Sequence, residues 1–428
     1  MLSEYTKNFI EEIVEKTKED NPKWGEVFKK GFTDTLESTI SVNDDGTVYM
    51  LTGDIPAMWL RDSTAQMRPY LVLANEDEKI YDLVKGLIEQ QFRYINIDPY
   101  ANAFNESANG RHGYPEDITP MTPWTWERKY EIDSLCYPIQ LAYLFYKNTG
   151  STEQFNETFY EAIETIVDLW ILEQNHENSD YSFVRLDDRP EDTLINDGQG
   201  SPVGYTGMTW CGFNPSDDRC IYHYLVPSNM FAAVVLTYLE ELANDGVIDL
   251  SNELLDKVVK LRDDIDRGIK EYAVVKNEAG NDIFAYEVDG LGNHIIKDDP
   301  NVPSLLSAPY LGYCDNQDPV YVETRKTVFS PENPYYYEGE FAKGLGSSHT
   351  EENYIWPIAL SMEGLTTDDV DRKKELLNTL VNTDGDTFNM HESFDVDNPK
   401  NFSREWFSWA NMMFCELLLD YYDIRVQK

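Results

Sequence analysis

Apolar residues recur along this chain at helical spacing. Ile80, Val84, Leu87, Ile88 and Phe92 fall at i, i+4, i+7, i+8 and i+12, one stripe of a helix. Ile163, Ile166, Val167, Trp170 and Ile171 repeat the pattern, as do Leu254, Val258, Leu261, Ile265 and Ile269. Leu376, Leu377, Leu380 and Val381 mark one more helix, and Trp406, Trp409, Met413, Leu417 and Asp420 carry the spacing to the C-terminal end. Ser151 followed by Gln154 reads as a capping box that opens a helix. Strand candidates are short and few, at 47–51 and 282–288. Between the helices run long connections rich in Gly, Pro, Asn and Asp, at 98–126, 185–219, 287–316, 329–350 and 382–403. Connections of that length inside a compact domain tend to carry function. No low-complexity linker divides the chain. The pattern predicts a single mostly helical domain over residues 1–428, its loops gathered on one face, as in a toroid of helical hairpins.

Composition narrows the partners. With 428 residues, 41% of them hydrophobic and 13% aromatic, the chain can bury a large core, which excludes global disorder. Acidic residues outnumber basic ones 78 to 35, for a formal charge of −43. Nucleic acid and anionic membrane surfaces are therefore unexpected partners. The five cysteines are odd in number and widely spaced, and no CxxC pair occurs. That is neither a disulfide framework nor a zinc pattern, and it suits a reducing compartment. The first twenty residues are acidic and amphipathic, unlike a signal peptide, and no apolar run is long enough for a membrane span. The expectation is a cytoplasmic protein without metal or cofactor.

The polar chemistry sits in the connections. GDIPAMWLRDSTAQMRPYL, at 53–71, crowds Trp59, Arg61 and Asp62 into what reads as a turn followed by a helix. Similar mixtures appear at 120–133, with Trp124, Trp126, Glu127, Arg128 and Lys129, and at 204–229, with Tyr205, Trp210, Asn214, Asp217, Asp218 and Asn229. Two further clusters hold His349 and Trp356, and His391, Glu392, Arg404, Trp406 and Trp409. Sugar rings show an apolar C–H face to aromatic side chains and a rim of hydroxyls to planar polar groups, so this mixture fits a carbohydrate site. Each piece alone also has a bland reading. A Trp near an Arg can be a packed edge, an SDD sequence a helix cap, and Glu392 a surface glutamate. MHESF is not HExxH, because position 395 is Asp, so zinc hydrolysis is not indicated. Glycoside hydrolysis needs one carboxylic acid and a second carboxylate, but among so many acids counting cannot select the pair.

Taken together, GDIPAMWLRDSTAQ, WERKYEIDSLCYP, TGMTW, PSDDRCIYHYLVPSNMFA, DGLGN, DDPNVPSLLSAPYLGY, GLGSSHT, YIWPIAL, MHESF and SREWFSWANMMF resemble glycoside hydrolase family 125. These are exo-acting α-1,6-mannosidases of bacteria and fungi, and the likeness is strongest to intracellular bacterial enzymes that degrade N-glycans. The resemblance implies an all-α (α/α)6 barrel, inversion at the anomeric carbon, no metal and a mannose-containing oligosaccharide as substrate. By motif position, Asp217 matches the general acid and Glu392 the general base. Arg61 and Asp62 match residues that grip the terminal mannose, with Trp59, Asn229, His349 and Trp406 near it and Asp218 beside the acid. Asn214 stands where the family pattern has an arginine, which bears on one contact to the leaving group. Two other readings stay open from the residues alone. A sugar epimerase would lean on histidines, of which only His349 and His391 lie in the clusters; a non-catalytic mannose-binding protein would need no matched acid and base.

Overall fold

The computed structural model describes residues 2–187 and 189–428. They are mostly helical, in the (α/α)6 class expected, and they divide into two compact units. One comprises residues up to Gln90 with Leu141–Ser151 and Tyr335–Lys428; the other comprises Gln91–Gln140 and Thr152–Pro334.

The first unit is built from helical hairpins. Helix Glu4–Thr17 pairs with Pro22–Ser38, and the second opens where Asn21 accepts from Lys23 N at 3.0 Å with a proline in the first position. Helix Pro357–Leu365 pairs with Val370–Asn382. Against these pack the residues of helix Ser408–Tyr421, buried all round from Ser408 to Leu419. A helix apolar on every side belongs in the interior. The core joins Phe28, Phe32 and Tyr70, with ring centroids 4.9 and 4.2 Å apart, and the Tyr70 hydroxyl donates to the Phe32 carbonyl at 2.7 Å.

The second unit repeats the plan. Helix Val226–Asn244, buried on all sides over its first eleven residues, pairs with the amphipathic helix Asn252–Gly268, against which Glu157–Glu173 also packs. Short antiparallel strands tie the loops, among them Ala103–Phe104 with Thr125–Glu127, and Glu287–Val288 with both Tyr224–Leu225 and His294–Ile295.

The stripes at 80–92, 163–170 and 376–381 are buried as the spacing predicts. Three boundaries differ. The helix expected from Ser151 begins at Glu157, because Asn156 rather than Ser151 caps it, accepting from Phe159 N at 3.2 Å. Trp406 lies outside the last helix, which starts at Ser408 because Phe407 is extended (φ −123°, ψ 100°). The 282–288 stretch is two strands, Asp282–Phe284 and Glu287–Val288, since each pairs with a different neighbour.

Candidate active site

In the first unit, the motif at 53–62 and the segment at 404–407 lie backbone to backbone. Gly53 has φ +131° and forms a bridge with Phe407; a Cβ there would stand 2.7 Å from the Trp406 carbonyl oxygen, so the position demands glycine. The helix Leu60–Met67 follows this contact, and all eight of its residues are buried. Trp59 occupies its N-cap position in extended conformation and is itself buried. Arg61 and Asp62 follow in the first turn, 3% and 5% exposed, with Arg61 Nε 3.5 Å from Asp62 Oδ2. The guanidinium of Arg61 also lies over the Trp409 ring at 5.8 Å.

Glu392 precedes the strand Ser393–Asp395, which pairs with Asn398–Ser403. The Ser403 hydroxyl donates to Glu392 Oε2 at 3.0 Å, and Arg404 Nη1 stands 3.5 Å from Oε1. Arg404 also forms a fork onto Asp54, with Nε at 3.0 Å and Nη2 at 2.5 Å from Oδ1. Burial works against its charge, but Asp54, Glu392 and Asp62 outweigh that and raise its pKa above the ordinary arginine value. Arg404 is thus a permanent cation among three carboxylates. It was visible in the 389–409 cluster, yet nothing in its neighbours along the chain gave it a role.

The histidines separate clearly. His391 Nδ1 bonds the Arg404 carbonyl at 2.9 Å, Nε2 meets Thr387 Oγ1 at 3.0 Å, and the ring stacks on Phe402 at 3.6 Å. Burial lowers its pKa. With both nitrogens engaged, His391 braces the segment beneath Arg404. His349 is half-buried, its backbone N–H donating to Ser347 Oγ at 3.1 Å and its ring 6.2 Å from Trp356. Trp406 is also half-buried, its backbone against Gly53.

In the second unit, residues 214–218 form a closed turn. Asn214 N donates to the Asp218 carbonyl at 2.8 Å and Asp217 N to the Asn214 carbonyl at 2.9 Å. The Asn214 side-chain oxygen accepts from Ser216 N at 2.9 Å and Asp218 N at 3.2 Å. Asn214 therefore organises the turn from a fully buried position. Outside the turn, Ser216 donates to Asp299 at 2.5 Å, and Asn301 Nδ2 donates to the Pro215 carbonyl at 3.1 Å.

The two acids of PSDD differ in exposure. Asp218 is 2% exposed and its Oδ1 is 2.7 Å from Arg189 Nη2. Asp217 is half-buried, and the neutral amide of Asn102 lies 3.5 Å from its Oδ1. Its backbone takes the left-handed conformation, φ +62°, uncommon for a residue with a side chain and costing on the order of 1–3 kcal/mol. Lys129 holds it there: the buried ammonium donates to the Asp217 carbonyl at 2.6 Å and to Asp192 Oδ1 at 2.8 Å. Burial opposes the lysine charge, while Glu127, Asp217 and Asp192 favour it, and the net shift is upward. Asn102 in turn donates to Glu127 at 3.0 Å, and Arg185 binds Glu127 at 2.8 Å and Asp117 at 2.7 Å. Asn102, Arg185 and Arg189 escaped the sequence reading; Lys129 was in a quoted motif but had no role.

Asn229 is fully buried. Its amide nitrogen donates to the carbonyls of Thr209 and Leu225, at 3.1 and 2.9 Å, and its oxygen accepts from Thr209 N at 2.9 Å. Its polar atoms thus pin the 205–213 segment to the start of helix Val226–Asn244. Among the described residues, no group of three or more His, Cys, Asp or Glu could hold a metal ion, and no helix is long and apolar enough to cross a membrane.

Comparison with known proteins gives a consistent result. The sequence model of the metal-independent alpha-mannosidases (GH125) matches residues 21–419. A solved Streptococcus pneumoniae structure, from a family described as metal-independent alpha mannosidases that process N-linked glycans, is a non-productive complex with α-1,6-mannobiose. It is 55% identical, covers 99% of both chains and superposes with a TM-score of 0.97. The meiotically up-regulated gene 157 protein of Schizosaccharomyces pombe is 35% identical over 96% of this chain and 85% of its own length. A wild-type glycosidase at 11% identity and a TM-score of 0.58, over 94% of this chain and 97% of its own, shares the fold alone.

Proposed function

Because the chain belongs to the metal-independent α-mannosidases of family GH125, we propose that residues 1–428 act as one catalytic domain that removes non-reducing terminal α-1,6-linked mannose, with inversion. The observation that carries the division of labour is the contrast between two adjacent acids. A general acid must be able to hold a proton until the leaving group needs it. Asp218 is buried and committed to an ion pair with Arg189, 2.7 Å from its Nη2. Asp217 is the more open of the two, with the Asn102 amide 3.5 Å from its Oδ1, and is the carboxyl assigned here to carry the proton. Glu392, beside Arg404, has the opposite requirement and is supported as the anion that takes a proton from water.

The reaction then runs as a single displacement. Glu392 deprotonates a water as its oxygen bonds to the anomeric carbon; the glycosidic bond breaks, and Asp217 protonates the departing oxygen. The mannose released is the β anomer. Arg61 donates its planar fork to two sugar oxygens while Asp62 accepts from hydroxyls. Trp59, His349 and Trp406 supply flat or imidazole surface around the terminal sugar, Asp218 orients the acid turn through Arg189, and Asn229 positions the neighbouring segment.

An epimerase is disfavoured by His391, whose two nitrogens are occupied within the protein. A non-catalytic binding protein would have no use for a strained acid beside a salt-bridged one. The mannobiose complex of the pneumococcal relative supports the α-1,6 linkage, and that relative's connection with N-linked glycans supports an N-glycan-type oligosaccharide as substrate. Five free cysteines support a reducing compartment, which we take to be the bacterial cytoplasm. Incubation with α-1,6- and α-1,2-mannobiose, read by chromatography, should give free mannose from the first and little from the second. Equal turnover of both would remove the linkage claim.

A further inference from the structure

A cavity of about 490 Å³ opens in the second unit, lined by residues that take no part in the chemistry above. Its walls include His176, Gln174, Asn196, Gln199, Tyr205 and Tyr224. The volume is in the range that holds small ligands.

The histidine is the sharpest feature. His176 is 6% exposed, and its Nδ1 donates to Glu173 Oε2 at 2.6 Å. Glu173 also accepts from the hydroxyls of Tyr100 and Ser179, each at 2.6 Å, so the carboxylate and with it the imidazole are fixed in place. The ring is held flat against Trp210 at 3.5 Å. His176 Nε2 is buried and has no hydrogen-bond partner in the protein. A buried polar atom without a hydrogen-bond partner is costly.

The rest of the wall has matching chemistry. The amide nitrogens of Gln174, Gln199 and Asn196 bond backbone carbonyls at 2.6, 2.9 and 2.7 Å. That pins the three planar groups, and each keeps a carbonyl oxygen able to accept. Tyr205 is 53% exposed at the rim, an aromatic face offered to solvent. No lysine or arginine lines the cavity, which disfavours phosphate or any other anion.

We propose that this cavity is a second, non-catalytic carbohydrate site. It takes one neutral sugar ring: a ring hydroxyl pairs with His176 Nε2, further hydroxyls meet the pinned amides, and the C–H face lies on Tyr205. The proposal does not depend on which residues catalyse hydrolysis.

The test is titration calorimetry of α-1,6-mannobiose into the Glu392→Gln enzyme, which prevents turnover during the measurement. Two binding events per chain are expected. Adding Tyr205→Ala, an exposed change that leaves the core intact, should remove one event, and adding Val203→Trp to fill the cavity should do the same. One event, unaltered by either substitution, would overturn the proposal. So would a cavity that binds spermidine, lost in the Tyr205→Ala enzyme, with no second mannobiose event, since that would make it a cation site. If the proposed catalytic reading failed instead, the Tyr205-dependent event would persist.

Discussion

The acid turn at 214–218 and the base segment at 392–404 solve different problems. The turn holds Asp217 in a left-handed backbone conformation, and the force that holds it comes from Lys129 on its carbonyl and from the Asn214 side chain inside the turn. Glu392 sits just before an antiparallel strand pair whose register shifts between Phe394 and Asp395, and it is steadied by Ser403 and Arg404. One carboxyl is positioned through its main chain, by Lys129 on its carbonyl; the other is positioned through its side chain, by Ser403 and Arg404. That difference is what an acid and a base require. Each arrangement also rests on a buried imidazole. His223 donates to the Cys211 carbonyl at 2.9 Å and accepts from Ser201 N at 2.8 Å, on the segment that enters the acid turn, while His391 braces Arg404.

The largest expected effects break the comparison at its two carboxyls. Asp217→Asn should lose about 10²–10⁴-fold on mannobiose but much less on α-mannosyl fluoride, whose leaving group needs no proton. Glu392→Gln should be poor on both substrates, because water still needs its base. If Asp218→Asn showed the fluoride-selective pattern instead, the acid would move by one residue.

A second effect sharpens the claim that the acid is held through its backbone. Lys129→Met removes the clamp without touching the carboxyl. Misplacing a catalytic group by an ångström costs on the order of 10²-fold. We expect kcat to fall by about that factor with KM little changed, and the pH profile to shift as the acid relaxes. A melting temperature that falls together with KM and kcat, with the profile intact, would make Lys129 merely structural.

The imidazole under the acid turn predicts an acid-side weakness. Burial lowers the His223 pKa from 6.5 to about 4. A depressed pKa contributes stability that is complete above the unfolded value and is lost as pH falls from 6.5 to about 4. That difference corresponds to about 3 kcal/mol. Melting temperature measured across this window should fall for the native chain and fall less steeply for His223→Gln; parallel curves would contradict it. On the base side, Gly53→Ala should cost about 1–3 kcal/mol by forcing the 404–407 segment away. Thermal denaturation at neutral pH reads that directly, and an unchanged midpoint would mean the two loops separate at no cost.

How far the sequence could see follows from these same residues. The amphipathic helices were legible because the stripes at 80–92 and 163–170 are buried at helical spacing. The last helix was misjudged at its start because Trp406 continues an apolar spacing that the extended Phe407 interrupts. The motifs around Asp217 and Glu392 marked these two clusters as candidates, but no local pattern told Asp217 from Asp218. The distinction rests on Arg189, 29 positions away, and Lys129, 88 positions from the carbonyl it binds. Arg404 meets Asp54 across 350 positions. Such pairings are made by the fold, so they leave no trace in spacing. Asn214 shows the limit from the other side: its departure from the family pattern is plain in sequence, while its part in closing the turn is visible only in three dimensions.

The account stands most directly on the stereochemistry of the first product. Early-time proton NMR of α-1,6-mannobiose hydrolysis resolves the anomers before mutarotation mixes them. A single displacement with Glu392 activating water predicts β-mannose as the first anomer to appear, whereas α-mannose appearing first would contradict it and require a covalent intermediate.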